Sequence, residues 1–445
     1  MLALVANKAF DNPYACWNFA SDFNADPAFM GYYAVGMSLI GISKWLAEIV
    51  KRRGIENICF LARDGYLPMK AFVRMREYFD TKNVQCMYVP CSRKAVFPWM
   101  VENEEGLYAL PIEYKNHTAL SLSQMLSCCI KESVISLSEE IEAGGFLPDK
   151  CFSTEREFLS FIDWFRKNLF DSRALNASKE ITTEYYRSQI PQNSLVFDLG
   201  YSGNIPAALQ KALGYPVVFA YQHHDNNKFY ENVRRGDLDV ECMYNLIPAF
   251  SDLIRELFFS EYSNSCEGLR REGVTVVPVL NSEDLPYAET FAVSKIEDGA
   301  MQFIDDFSKT FSGLQVAVVF EPTQVCLPLE GLIHECSSED QKVFAATFSD
   351  DAVYGGATRI SITEFWRSQT RGISVVDNQC EYGNLVQAIC YGRGRVEKFL
   401  IYAICDRKTL KDKVKSKLQR QPVIMFIAKK LYSMLRSIHR LFRRR

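Results

Sequence analysis

Apolar positions fall along this chain in two ways, at helical spacing and as short continuous runs. In YYAVGMSLIGISKWLAEIVKRR, residues 32–53, Val35, Leu39, Ile42, Leu46 and Ile49 return every three or four residues, which predicts one helical face closed by Gly54. Short apolar runs follow at 58–61, in VQCMYV, at 195–199 and in YPVVFAY, most leading through a polar or glycine-bearing turn into a helical pattern. Strand, turn and helix in alternation predict an α/β core with a mostly parallel sheet. From about 97 to 193 the pattern is mainly helical (TALSLSQMLSCCI, STEREFLSFIDWFRKNLF, ASKEITTEYYRSQI), which predicts a large helical insertion. The α/β domain is expected over 1–282. A smaller C-terminal α+β region over 283–405 should hold a helix near 287–311 and a strand in QVAVVF, and a basic tail follows at 406–445.

Composition changes this picture little. At 445 residues, with 48% hydrophobic, 13% aromatic and 24% charged positions, the chain can bury a large core. Its 14 cysteines are scattered without a CxxC pair and accompany only 5 histidines, which argues against a disulfide scaffold and against structural zinc. The first residues show no basic flank or long apolar stretch, and no run approaches the roughly 18 uninterrupted apolar residues of a membrane span. The expectation is a reduced, cytoplasmic protein.

Charge adds one feature. The net charge is -3, yet 406–445 holds 14 Lys or Arg against 2 Asp, a balance of +12 that leaves -15 on the other 405 residues. Within 422–445, Pro422 suits a first helical turn, and Ile424, Ile427, Leu431, Leu435 and Ile438 form a stripe among Lys429, Lys430, Arg436, Arg440, Arg443, Arg444 and Arg445. A basic amphipathic helix of this kind predicts peripheral binding to an anionic membrane surface. Nucleic acid is not expected, because the acidic body would repel it.

Candidate chemistry gathers at predicted strand ends, where open α/β sheets bind ligands. FLARDGY delivers Arg63, Asp64 and Gly65, and VPCSRKA delivers Ser92 and Arg93. In SLVFDLGYSGNIPAALQKALG the strand ends at Asp198 and leads through Gly200, Tyr201, Ser202 and Gly203 into a helix from Asn204, whose N-terminal N–H groups and dipole suit a phosphate. Such a loop fits S-adenosylmethionine in a methyltransferase, a nucleotide in an actin-like ATPase, or the 5-phosphate of a phosphoribosyltransferase donor. No second phosphate loop supports the ATPase, and two strand–loop–helix units precede a loop that methyltransferases place after the first strand. A small pyrophosphate loop followed by an acidic 5-phosphate loop is the phosphoribosyltransferase order, although Phe197 stands where those enzymes commonly carry a second acid. Elsewhere, His223 and His224 beside Asp225 are candidates to touch an acceptor sugar. RELFFSEYSNS puts Arg255, Glu256, Glu261 and Tyr262 on one amphipathic element, with Glu256 or Glu261 as a candidate base. GDLDVE reads as a solvated acidic turn and VYGGATR as a glycine turn.

Taken in order, GYYAVGMSLIGISKWL, FLARDGYL, CSRKA, DLGYSGNIPAAL and ELFFSEYSNSCEG resemble, over about 12–275, the glycan phosphoribosyltransferase-like domain of bacterial capsule and O-antigen loci. That domain is often fused to, or encoded beside, a haloacid-dehalogenase-type phosphatase. The resemblance implies a phosphoribosyltransferase-like sheet and transfer of 5-phosphoribosyl from phosphoribosyl pyrophosphate to a lipid-linked glycan at the inner membrane face, with a separate phosphatase completing the reaction. It implies Mg2+ held through the donor pyrophosphate, with no direct protein ligand. Arg63, Gly65, Ser92 and Arg93 would steady pyrophosphate, Asp198 the ribose hydroxyls, and Gly200, Tyr201, Ser202, Gly203 and Asn204 the 5-phosphate. Asp64 would either stabilise charge at the anomeric carbon or deprotonate the acceptor, with His223, Glu256 and Glu261 on the acceptor side. A methyltransferase and a non-catalytic assembly protein of a glycan locus stand as the other readings.

Overall fold

Five short strands form one parallel sheet: β1 (Asn57–Leu61), β2 (Gln85–Val89), β3 (Ser194–Asp198), β4 (Val218–Tyr221) and β5 (Asp239–Cys242), ordered β2-β1-β3-β4-β5. The protein is thus mixed α/β, as the alternating pattern predicts. The computed structural model describes residues 1–366 except 13, 15, 111, 113, 225, 245–251, 262–264, 282–284, 313–318, 351–358 and 364–365. The tail at 406–445 lies outside the described residues, as do Asp225, Tyr262 and most of the QVAVVF and VYGGATR stretches.

Alternation along the strands builds two cores. Ile58, Phe60, Leu195, Phe197 and Ala220 face one side, and Cys59, Leu61, Val196, Phe219 and Tyr221 face the other. Helices Arg93–Val101, Ser172–Gln189 and Asn204–Leu213 cover the second face through Ala95, Val96, Tyr185, Tyr186, Ala208 and Leu209. Both faces are therefore covered, the usual setting of a parallel sheet.

The first face is covered by the helical run Pro27–Arg53, whose residues Gly31–Val35 form a π-helical turn. Gly54, at φ 64°, ends it, and Lys51, Arg52 and Arg53 complement the dipole of its last turn. The run is long and apolar enough to cross a membrane, and most of its apolar side chains are buried inside the protein. Burial extends beyond the single face expected: Met37, Ile40, Ala47 and Val50 are covered as well. The reason lies far along the chain. Helix Tyr287–Phe311 crosses so closely that a Cβ on Gly31 would stand 2.0 Å from the Ile296 carbonyl oxygen, and one on Gly299 1.9 Å from that of Ala28. Residues on both sides of position 282 thus contribute to one hydrophobic cluster, from Met30 and Phe197 to Ile296, Phe303 and Leu329.

Between β2 and β3 the insertion is helical and has its own core of Leu122, Phe161, Ile162 and Phe165. Thr118, Thr154 and Asp171 cap three of its helix N-termini through their side chains. The acidic GDLDVE stretch is not a turn. Asp239 and Glu241 lie on the edge strand β5, where Arg53 reaches both and Arg52 pairs with Glu241 at 2.8 Å.

Two further antiparallel hairpins complete the described structure: β6 (Cys266–Glu272) with β7 (Thr275–Leu280), and Phe348–Asp350 with Arg359–Ser361.

Candidate functional site

The chain leaves β1 toward β2 on one side and later returns past β1 to lay down β3, β4 and β5 on the other. The direction of winding reverses between β1 and β3, and the crevice outside their carboxyl ends is where doubly wound sheets bind ligands. Phe60 pairs with Phe197 in register, so the loops after Leu61 and Asp198 open side by side.

The loop after β1 is tight. Ala62 N–H donates to the Val89 carbonyl at 2.9 Å and Gly65 N–H to that of Leu61 at 2.8 Å. A Cβ on Gly65 would come within 2.7 Å of the Leu61 oxygen, so a side chain there has no room. The Ala62–Arg63 peptide bond is cis. Asp64 accepts a hydrogen bond from the Ser260 hydroxyl, and Glu261 N–H donates to the Arg63 carbonyl at 3.1 Å. The Tyr88 hydroxyl, from β2, holds Glu261 Oε2 at 2.9 Å. Of the expected acceptor-side residues, Glu261 is thus brought directly against the β1 loop.

Ser92 has structural duties: its oxygen accepts the Ala95 N–H at 3.1 Å, capping helix Arg93–Val101, while its hydroxyl donates to the Cys266 carbonyl. Arg93 opens that helix and acts electrostatically on both Asp64 and Asp198. Burial pushes the Asp64 carboxyl above its usual range, against the opposing pull of Ser260, Arg63 and Arg93. Burial also pushes Asp198 well up, and the negative charge of Asp64 adds to it.

Asp198 is only 7% exposed, so the end of β3 is closed from solvent. The Tyr221 hydroxyl and the Leu199 N–H hydrogen-bond its carboxylate. The register explains the first contact, because Asp198 and Tyr221 are Cα partners across β3 and β4.

The loop after Asp198 leaves little space either. His223 N–H donates to the Leu199 carbonyl at 2.9 Å, and a Cβ on Gly200 (φ 153°) would meet the His223 carbonyl oxygen at 2.3 Å. The Gly200–Tyr201 bond is cis. Gly203, at φ 76°, occupies the N-cap of helix Asn204–Leu213 and provides no side-chain cap. Asn232, on the next helix, donates to the Ser202 carbonyl at 2.7 Å and to Asn204 Oδ1 at 2.8 Å, while Asn204 Nδ2 donates to Ser202 Oγ at 2.9 Å.

Other expected residues are placed differently. His223 is buried, its ring stacked on Tyr244 with centroids 4.7 Å apart and its Nε2 3.8 Å from Glu330 Oε1. His224 is buried against Phe229. Arg255 does not share a solvated face with Glu256: it is fully buried, and its two terminal nitrogens hold the two oxygens of buried Glu330, each at 2.7 Å. Glu256 is half-buried.

Sequence reasoning missed Tyr88, Asn232 and Ser260 as neighbours of these loops, and Glu330 as the partner of Arg255. Ser260 stands inside the quoted RELFFSEYSNS stretch; no local signal marks the other three. Among the described residues no group of three or more His, Cys, Asp or Glu side chains is arranged to hold a metal ion. A groove lined by Glu102, Lys131, Arg166 and Arg173 belongs to the insertion and includes none of the strand-end residues. No protein-family model matches the chain, and no curated protein matches it.

Proposed function

We propose that the protein is a glycosyltransferase that moves 5-phosphoribosyl from phosphoribosyl pyrophosphate to a glycan acceptor, on a phosphoribosyltransferase-like sheet. One observation carries this reading. The Arg63–Asp64–Gly65 turn and the Gly200–Asn204 loop end adjacent parallel strands at the point where the sheet reverses its winding. Two anion-type loops side by side suit a ligand with phosphate groups at both ends.

In this reading Arg63 and Arg93 grip the pyrophosphate, since a guanidinium fork makes paired charge-assisted bonds to phosphate oxygens. The N-terminus of helix Asn204–Leu213, which lacks a side-chain cap, takes the 5-phosphate. Asp198 lies below the ribose, and Asp64 faces the positive charge that develops at the anomeric carbon as pyrophosphate departs. The acceptor oxygen forms the new bond to that carbon, and its proton passes to Glu261, which the Tyr88 hydroxyl and the Arg63 carbonyl hold beside the loop. A metal would be carried by the donor pyrophosphate with no direct protein ligand, Arg63 and Arg93 sharing the charge of the phosphate oxygens. Magnesium, when bound with the donor, would neutralise charge on the leaving pyrophosphate.

The proposed partners are a lipid-linked glycan, a separate haloacid-dehalogenase-type phosphatase that removes the 5-phosphate, and an anionic membrane surface bound by 422–445. A non-catalytic assembly role is the second reading, favoured by the burial of Asp198 and by Phe197, whose ring packs on Phe60 at 5.6 Å where a second acid was expected. Calorimetry separates these readings. Phosphoribosyl pyrophosphate with magnesium should bind and S-adenosylmethionine should not. The reverse result means a methyltransferase, and binding of neither means an assembly protein.

A further inference from the structure

We propose that the buried Arg255–Glu330 pair is a positioning device for the glycine loop after β3, so that helix Leu327–Glu335 governs how well that loop holds its ligand. The phosphate identity of the ligand rests on the function proposed above; the positioning does not.

The geometry runs through two contacts. Arg255 stands on helix Asp252–Phe259 with no exposed surface, and its fork is closed on Glu330 by two hydrogen bonds of 2.7 Å. Tyr201, inside the loop, lies within electrostatic reach of the Arg255 guanidinium. On the other side, His223 Nε2 sits 3.8 Å from Glu330 Oε1, and the His223 backbone holds the Leu199 carbonyl and closes over Gly200. The His223 ring is braced by Tyr244, whose hydroxyl donates to the Thr323 carbonyl at 3.4 Å. The pair therefore reaches residues 199 and 200 through His223 and acts on Tyr201 electrostatically.

Physical chemistry favours orientation over bulk stability as its purpose. Removing two charges from water costs about as much as their attraction returns, and apolar side chains of similar volume would often serve stability as well. A bidentate guanidinium–carboxylate pair contributes direction: two parallel bonds fix the plane of both groups. A loop that must present backbone N–H groups to a ligand gains from such a fixed neighbour. Glu330 comes from a segment more than 100 residues beyond the loop, so the loop would be incomplete without the C-terminal helices.

The test uses the full chain with Glu330→Gln, which keeps shape and removes charge, and Arg255→Lys, which keeps charge and removes the fork. Asp340→Asn is the control. That acid is equally buried, but the Ser21 hydroxyl and the Asp22 and Ala25 N–H groups that hold it belong to the N-terminal segment. Hydrogen exchange at residues 199–204 and calorimetric binding of ribose 5-phosphate are read for each. Both pair variants should exchange about tenfold faster at the loop and bind about tenfold more weakly, with the insertion amides unchanged. Unchanged loop exchange in both variants, or equal acceleration in Asp340→Asn, overturns the proposal. If Glu330→Gln does not fold, Arg255→Lys decides by the same criterion. If the unmodified protein binds no ribose 5-phosphate, the phosphate reading falls while loop exchange still decides the positioning.

Discussion

Burial and the nearby charge of Asp64 raise the Asp198 carboxyl, against the opposing pull of Leu199, Tyr221 and Arg93. Because this carboxyl is pushed up in the folded protein, the native state holds a proton that the unfolded chain releases near the ordinary value of about 4. Stability should therefore fall as pH rises from that value through the folded-state value. Asp198→Asn should keep the fold, lose most transfer activity and flatten this fall; denaturation midpoints from pH 4.5 to 8 measure it. A variant as pH-sensitive as the parent would refute the assignment of the raised carboxyl to this residue. Phe197 is explained by the same alternation. It points into the face shared with Phe60, so a carboxylate there would be buried among apolar rings, at a cost of several kcal/mol.

Among the elements, the crossing of Pro27–Arg53 with Tyr287–Phe311 depends on the absence of side chains at the contact. Gly31→Ala would drive a methyl into the Ile296 carbonyl and should cost roughly 1–3 kcal/mol in urea denaturation. Gly331, inside helix Leu327–Glu335, has open space around its missing Cβ. Gly331→Ala should stabilise by roughly 0.5–1 kcal/mol, because alanine loses less backbone entropy in a helix. The same chemical change thus has opposite signs at two helical positions. Equal shifts in the same direction would show that the close crossing does not control stability.

For the whole molecule, the charge division of the sequence sets the prediction. The body carries -15 and the last 40 residues +12, so attachment to an anionic surface should reside in the tail. Sedimentation with anionic vesicles should pull down the full chain and leave a chain ending at Arg420 in solution. Each basic residue at the surface contributes about 1 kcal/mol, so binding should weaken sharply with salt. Equal binding by both chains would remove the anchor.

Much of the fold was legible because it depends on local rules. Short continuous apolar runs mark β1 and β3, helical spacing marks the Pro27–Arg53 run and Tyr287–Phe311, and glycines at 54 and 203 punctuate them where backbone angles demand it. The same local logic put Arg63, Asp64, Arg93 and Asp198 at strand ends. The edge strand β5 escaped it, since Asp239 and Glu241 look solvated until Arg52 and Arg53 are brought to them. What no local pattern encodes is the order of strands and the contacts that order creates. Ser260 meets Asp64 across 196 residues, and Arg255 meets Glu330 across 75. Periodicity says which side of an element is apolar, but only the packing of distant elements decides which apolar sides meet. That packing closed Asp198 from solvent, brought Glu261 against the β1 loop and joined Arg255 to Glu330.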